Sequence, residues 1–296
     1  MIFPGFLFSA CVGLMAGWVD RKVTARIQWR VGPPWYQNFI DIVKLLGKET
    51  IIPEGAKLTF LISPYLGLLS VSLVATVLGK TILFPLESFV GDLIVVLYLL
   101  IIPAIAIIIG ASSSRNPLAS VGASREMKLV LAYELPFILS VIVVIIKCGG
   151  VIKIGEILNY QMGAGSNLAS FSGILAFLVA ILCMQAKLGF VPFDMSEAEQ
   201  EIMAGALIEY SGPPLAIFKL TKAILVYTMP LLLIVLFWAK NLNPLALIGK
   251  YTALLVIIIL IKNTNPRLRI DQALRFFWGP VTLLALAAVG LALIGQ

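Results

Sequence analysis

The chain has 296 residues, 60% of them apolar and only 12% charged, with a mean hydropathy of +1.02. A soluble domain carries about 45–50% apolar and about 25% charged residues, so the composition argues against a cytosolic enzyme, a disordered chain or a nucleic-acid-binding domain. The formal charge of +7 is the basic excess that membrane proteins place in cytoplasmic loops.

A bilayer core about 30 Å thick takes about 20 helical residues per crossing. Eight apolar runs qualify, over residues 3–19, 58–79, 92–111, 129–146, 168–186, 215–238, 244–261 and 277–295. The expected fold is an all-α integral membrane protein, one polytopic domain over 1–296 with about eight transmembrane helices. The first run has no basic residue ahead of it and no small-x-small cleavage site before Asp20, so it is read as a span and not a signal peptide.

Loop 1 covers residues 20–57. Asp20, Arg21, Lys22, Arg26 and Arg30 follow directly on the first span, with Arg26 and Arg30 one helical turn apart. Such a run ordinarily anchors lipid headgroups; it can also meet an anionic partner. Gly32-Pro33-Pro34 is a rigid break. In Tyr36–Lys48, Gln37, Asp41, Lys44 and Lys48 share one helical face while Tyr36, Ile40, Val43 and Leu46 share another. This predicts an amphipathic helix at the membrane surface or against a partner.

The fourth run contains Glu134, in Leu131-Ala-Tyr-Glu-Leu-Pro136. A charge inside an apolar span is costly and functional by default, here in a proton pathway. The ordinary alternative is a buried carboxyl that is protonated or paired with a neighbouring lysine. Pro136 is expected to loosen the helix beside it.

Loop 5, residues 187–214, holds Asp194, Glu197, Glu199, Glu201 and Glu209, five of the fifteen acids. Ser196 and Glu199 stand at capping-box spacing, which predicts a helix start with Glu199 as cap partner and with Glu197 and Glu201 on one face. A solvated acidic helix is the ordinary reading. Phe190, Val191, Phe193, Ile202, Met203 and Leu207 are apolar enough to carry the segment back toward the membrane, where close carboxylates hold and pass protons as a set.

Basic residues set the expected orientation. Arg21, Lys22, Arg26, Arg30, Lys44, Lys48 and Lys57 follow the first run; Arg115, Arg125 and Lys128 the third; Lys187 the fifth; Lys262, Arg267, Arg269 and Arg275 the seventh. The other side has Lys80, Lys147, Lys153, Lys240 and Lys250. The odd-numbered loops are thus expected in the cytoplasm and both termini outside, in the cell membrane. The sequence has no histidine, and Cys11, Cys148 and Cys183 stand apart with no CxxC pair. No metal site, cofactor or catalytic residue is expected of this chain alone.

Asp20-Arg-Lys, Arg26-Ile-Gln-Trp-Arg30-Val-Gly-Pro33, Asp41-Ile-Val-Lys-Leu-Leu-Gly-Lys-Glu49, Pro192-Phe-Asp-Met-Ser-Glu-Ala-Glu-Gln-Glu201 and Glu209-Tyr-Ser-Gly212 resemble the signatures of the complex I subunit 1 (NuoH-like) family, over essentially the whole chain. Gly122-Ala-Ser-Arg-Glu126, Glu197-Ala-Glu-Gln-Glu201 and Arg267-Leu-Arg-Ile-Asp271 look like its hydrogenase-type branch, the membrane linker subunits of membrane-bound [NiFe] hydrogenases and the related archaeal sulfane-sulfur reductase. The quinone-using branch has an arginine just before Pro-Phe-Asp and Glu where Asp20 stands; here Gly189-Phe190-Val191 precede Pro192.

The resemblance implies a non-catalytic subunit that anchors a peripheral electron-transfer arm and couples its redox chemistry to proton or sodium translocation. It implies a pathway through Glu134, Asp194, Glu197, Glu199, Glu201 and Glu209. It implies an arm interface at Asp20, Arg21, Arg26, Arg30, Asp41, Arg125 and Glu126. Expected partners are a hydrogenase-like large subunit and an iron–sulfur small subunit on the cytoplasmic side, with antiporter-like and small membrane subunits and lipid in the bilayer. The iron–sulfur clusters, and a [NiFe] centre in the hydrogenase case, belong to those partners. The competing readings are a quinone-site subunit of a complex I-type dehydrogenase and a stand-alone secondary transporter; transporters often show internal repeats, and none is found.

Overall fold

The computed structural model describes residues 5–56 and 58–295, with the side chains of Glu199 and Gln200 excepted. Lys57, assigned to loop 1 by the sequence, lies outside the described residues, as does the side chain of Glu199. The elements are all helical: α1 (Phe6–Ile27), α2 (Gln37–Leu46), α3 (Leu58–Leu83), α4 (Asp92–Leu99), α5 (Ile102–Ser113), α6 (Pro117–Lys147), α7 (Ile154–Ala164), α8 (Phe171–Lys187), α9 (Glu199–Ile202), α10 (Gly212–Phe237), α11 (Pro244–Thr264), α12 (Ile270–Phe276) and α13 (Thr282–Leu293). A π-helical turn, Phe277–Val281, joins α12 to α13. All eight apolar runs fall on helices. Six helical stretches among the described residues are long and apolar enough to cross a membrane, with α4–α5 and α12–α13 each counting as one. Of the other two, α8 has 17 residues, and the last turns of α1 carry Asp20, Arg21, Lys22 and Arg26.

The hub of the bundle is α10, in which every residue from Ile224 to Phe237 is buried. A helix apolar on all sides is one surrounded by other helices, and α10 packs against α1, α3, α8 and α11. By contrast, α11 and α13 keep apolar outer faces, with Leu260 and Leu283 exposed. At the far end the Lys250 ammonium donates to the carbonyls of Trp238 (2.8 Å), Lys240 and Asn241 (2.9 Å), closing the turn between α10 and α11. Nearby, the buried Gln161 of α7 donates to the Val235 and Leu236 carbonyls and accepts from the Ala239 amide.

Four local expectations change. The fourth span begins at Pro117 and not at 129, because Asn116 caps it, accepting from the Leu118 amide at 2.8 Å, and Pro117 is preset for a first helical turn. Its polar opening turns, with Arg125, Glu126 and Lys128, are helix and not loop. Pro136 lies inside α6 without ending it. The capping box of loop 5 does not form: α9 is four residues long, starts at Glu199 and has Ala198 as its uncapped N-cap. Ser196 instead accepts the Ala206 amide on its carbonyl, and Met203 and Ala204 in left-handed conformation stop the helix. Arg26 and Arg30 do not share a helix face, since α1 ends at Ile27 and Trp29 turns the chain with φ 59°. The amphipathic helix of loop 1 is present as α2.

Close packing of α1 on α10 depends on Gly13, where a Cβ would stand 2.2 Å from the Ala223 carbonyl oxygen. Gly13→Ala is expected to cost about 1–3 kcal/mol by overpacking and to lower the melting temperature of the purified complex. Gly290→Ala, where nothing beyond the local backbone of its own helix lies within 4 Å of the added carbon, should leave it unchanged or slightly raised.

Candidate functional site: a row of ion pairs at one end of the bundle

The loop end of the bundle is knitted from four segments. The Ile51 amide of loop 1 donates to the Ser211 hydroxyl at 3.1 Å, and the Leu268 amide after α11 donates to the Pro192 carbonyl at 3.1 Å. The Asn116 amide group at the head of α6 donates to a Glu209 carboxylate oxygen at 2.5 Å. In loop 5, the Gln185 side chain donates to the Val191 carbonyl at 2.7 Å and fixes the turn out of α8.

Into this frame the sequence sends acids, and each meets a base or a hydrogen-bond donor from a different segment. Glu134 of α6 pairs with Lys187, the last residue of α8, at 2.9 Å; their side chains are 14% and 2% exposed, so this pair is out of bulk water. The Lys187 ammonium also lies 5.5 Å from the Tyr133 ring centre and 4.8 Å from that of Phe137. Glu197 pairs with Lys222 of α10 at 2.9 Å, and Asp20 of α1 with Lys262 of α11 at 2.7 Å. Nearer the surface are Asp194–Arg267 (3.1 Å), Glu201–Arg125 (2.6 Å) and Asp41–Arg21 (3.2 Å). Asn38 and Gln37 of α2 complete the last of these, accepting from Arg21 and donating to Asp41 at 2.7 Å each.

Two cavities run through the row. The inner one, about 220 Å³, is lined by Glu126, Lys187, Ser196, Glu197, Lys219 and Lys222 among apolar side chains such as Leu100, Ala104, Ile107 and Phe218. Glu126 shares a side-chain hydrogen bond with Ser196. The outer one, about 270 Å³, is lined by Asp20, Arg21, Asn38, Asp41, Phe190, Lys219 and Lys222, with Gly13, Leu14 and Val226. Lys219 and Lys222 line both. An acid held beside an ammonium stays charged until the ammonium moves or a proton arrives, so a series of such pairs can pass a charge change from one to the next.

The structure thus brings Glu126, Glu197 and Lys187 around one cavity, with Glu134 behind Lys187, and Asp20, Arg21 and Asp41 around the next. Glu201 and Asp194 line neither cavity and pair with Arg125 and Arg267 nearer the surface, and Glu209 is apart on Asn116. Asp20 and Glu126, expected to face a partner, are buried: Lys262 draws the first inward, and the early start of α6 turns the second into the cavity. Arg26 and Arg30 are exposed, and the neighbouring Trp29 is 98% exposed. Reading acids alone missed Lys187, Lys222 and Lys262, their counter-charges. Lys222 carried the available signal, a charge inside the apolar run 215–238. Among the described residues no cluster of three or more His, Cys, Asp or Glu could hold a metal ion.

The fold and this row of loops have known counterparts. The sequence model described as NADH dehydrogenase matches residues 2–293. The chain belongs to that family. The H subunit of the NADH-quinone oxidoreductase of Thermomicrobium roseum is 34% identical over 315 residues, covering 96% of this chain and 92% of the relative. Its counterpart from Bacillus mycoides is 30% identical over 288 residues, covering 91% and 85%. A chain of the archaeal membrane-bound sulfane sulfur reductase, a respiratory membrane complex, superposes with a TM-score of 0.86 at 31% identity, covering 97% of this chain and 96% of that one. The protein is a complex I-like, multi-pass membrane subunit.

Removing Lys187 strands the Glu134 carboxylate. Lys187→Met is expected to cost about 3–5 kcal/mol, read as a drop in melting temperature, with much of it recovered in the Lys187→Met/Glu134→Leu double variant. Burial also pushes the Tyr210 hydroxyl, outside the spans, up to about 12, while Ser63 opposes the shift. The unfolded chain releases that proton near pH ~10, so the stability Tyr210 contributes is intact below that pH and is lost as pH rises toward 12. Tyr210→Phe should flatten this alkaline loss in a pH series of melting curves.

Proposed function

We propose that the chain is the non-catalytic membrane subunit that anchors the peripheral electron-transfer arm of a respiratory oxidoreductase and couples its redox chemistry to proton or sodium translocation. The observation that carries this reading is the set of ion pairs from the exposed loop surface to Glu134, with Lys187, Glu197, Lys222, Asp20, Arg21 and Asp41 among the side chains that line two cavities. In this reading the odd-numbered loops face the cytoplasm of a cell-membrane complex. Loop 1 (20–57) and loop 5 (187–214) form the docking surface, with Arg21, Arg26, Arg30, Asp41 and Arg125 presenting charge to the arm. The arm is a hydrogenase-like large subunit with an iron–sulfur small subunit, and antiporter-like subunits lie alongside in the bilayer. Redox cofactors reside in the partners; this chain supplies carboxylates and ammoniums.

Electron transfer in the arm changes charge or shape at Asp194 and Glu201. Glu197 responds by exchanging its hold on Lys222 for a proton, Glu126 follows across the cavity, and Lys187 and Glu134 relay the change into the membrane. A neutral carboxylic acid is tolerable there, whereas a carboxylate without its ammonium is expensive. The runner-up, a quinone site, is supported by the apolar lining of the inner cavity, Leu100, Ala104, Ile107 and Phe218. Tight, saturable quinone binding to the purified complex would favour it.

The test uses the intact complex in sealed vesicles. Glu134→Gln keeps shape and hydrogen bonding but removes titration; it should leave artificial-donor activity intact and reduce ions moved per electron, with Glu134→Asp milder. An unchanged ratio in the Gln variant makes Glu134 a structural acid. Charge reversal at Arg26 and Arg30 to Glu should release the arm from the membrane, since like charges at an interface cost several kcal/mol; co-purification measures it.

A further inference from the structure

Phe190 lies where the two cavities meet. The residue before it, Gly189, lines the inner cavity, and Phe190 lines the outer one. Its main chain is pinned. The Phe190 amide donates to the Gln185 carbonyl at 3.3 Å, the Phe193 amide donates to the Phe190 carbonyl at 2.8 Å, and Gln185 holds the next carbonyl. The ring itself is partly buried and packs against the hydrophobic core, with no hydrogen bond to hold its rotation.

Two ammoniums stand against that ring. Lys222 lies 5.8 Å from its centre and Lys262 5.0 Å. Lys222 belongs to the Glu197 pair of the inner cavity, and Lys262 to the Asp20 pair of the outer one. An aromatic face attracts a cation within about 6 Å of its centre, so both lysines hold the ring while each stays charged and paired. The arrangement ties one apolar side chain to the state of two ion pairs at once.

We propose that Phe190 is a charge-clasped gate, closing the inner cavity to water and protons from the outer one for as long as both ion pairs are intact. When a proton arrives on Glu197, the Glu197–Lys222 pair loosens, Lys222 leaves the ring, and the ring rotates out of the junction. No bond other than the carboxyl O–H is made. The inference rests on the coupling role proposed above, because a gate matters only if Glu126 and Glu197 exchange protons.

The experiment reads access without turnover. In the intact complex with Cys11, Cys148 and Cys183 replaced by Ala, Ser196→Cys places a single thiol on the inner cavity. Its rate of modification by an anionic, membrane-impermeant methanethiosulfonate is measured in vesicles open to the loop side. Phe190→Ala should raise that rate on the order of tenfold, matching the loss of two weak cation–ring contacts, and Phe190→Trp should not raise it. Phe190→Leu, which keeps apolar bulk but loses the aromatic face, should give an intermediate rate and serves if the Ala variant does not assemble. A Phe190→Leu complex labelled no faster than one that keeps Phe190, or equal acceleration by Trp and Ala, would overturn the gate. A normal ion-to-electron ratio in Glu134→Gln would overturn the coupling role and leave the labelling result standing, so the two failures are separable.

Discussion

A charge taken out of water must bring its counter-charge with it, and the loop end of this bundle is arranged around that requirement. Isolated burial of a carboxylate or an ammonium is prohibitive, and breaking a buried pair costs about 3–5 kcal/mol. The acids sit on α1, α6 and loop 5; the lysines that answer them sit at the ends of α8 and α11 and in the first turns of α10. Each pair therefore ties two segments together at a point where hydrophobic packing alone would let them slide. The hub helix α10 supplies the apolar contact, and its Lys222 supplies the registration between the two cavities.

The spans were legible in the sequence because hydropathy over a window of about 20 residues is a local quantity. The same holds for α2, whose polar and apolar faces repeat within ten residues. Pairing was not legible. Asp20 and Lys262 are 242 residues apart in sequence, Glu134 and Lys187 are 53, and Glu197 and Lys222 are 25. No periodicity reports such distances. The acidic run of loop 5 misled for a related reason: Ser196 and Glu199 satisfy a local capping rule, but Glu197 is claimed by Lys222 and Ser196 by Ala206 and Glu126. Tertiary partners outweighed the propensity of a four-residue helix.

Similarity to the NADH-quinone oxidoreductase relatives and to the sulfane sulfur reductase chain extends over nearly the whole length. What is shared is thus the complete frame, loops included, and not a span-rich fragment. Within that frame the exposed Trp29 and Arg30 follow the buried Asp20 by only nine and ten residues, so loop 1 passes from the interior to solvent within a short stretch of chain.

Lys250 is held differently from Lys187, Lys222 and Lys262. At the far end Lys250 has all three of its protons on main-chain oxygens, and a peptide carbonyl neither titrates near neutral pH nor swaps partners. Protonating a carboxylate therefore leaves this contact as it is, whereas the Lys80–Glu87 and Lys153–Glu156 pairs at the same end are carboxylate pairs on more exposed side chains. Lys187, Lys222 and Lys262 at the loop end hold carboxylates, which do both. The turn between α10 and α11 is thus an anchor whose contacts do not depend on the protonation of the loop-end carboxylates.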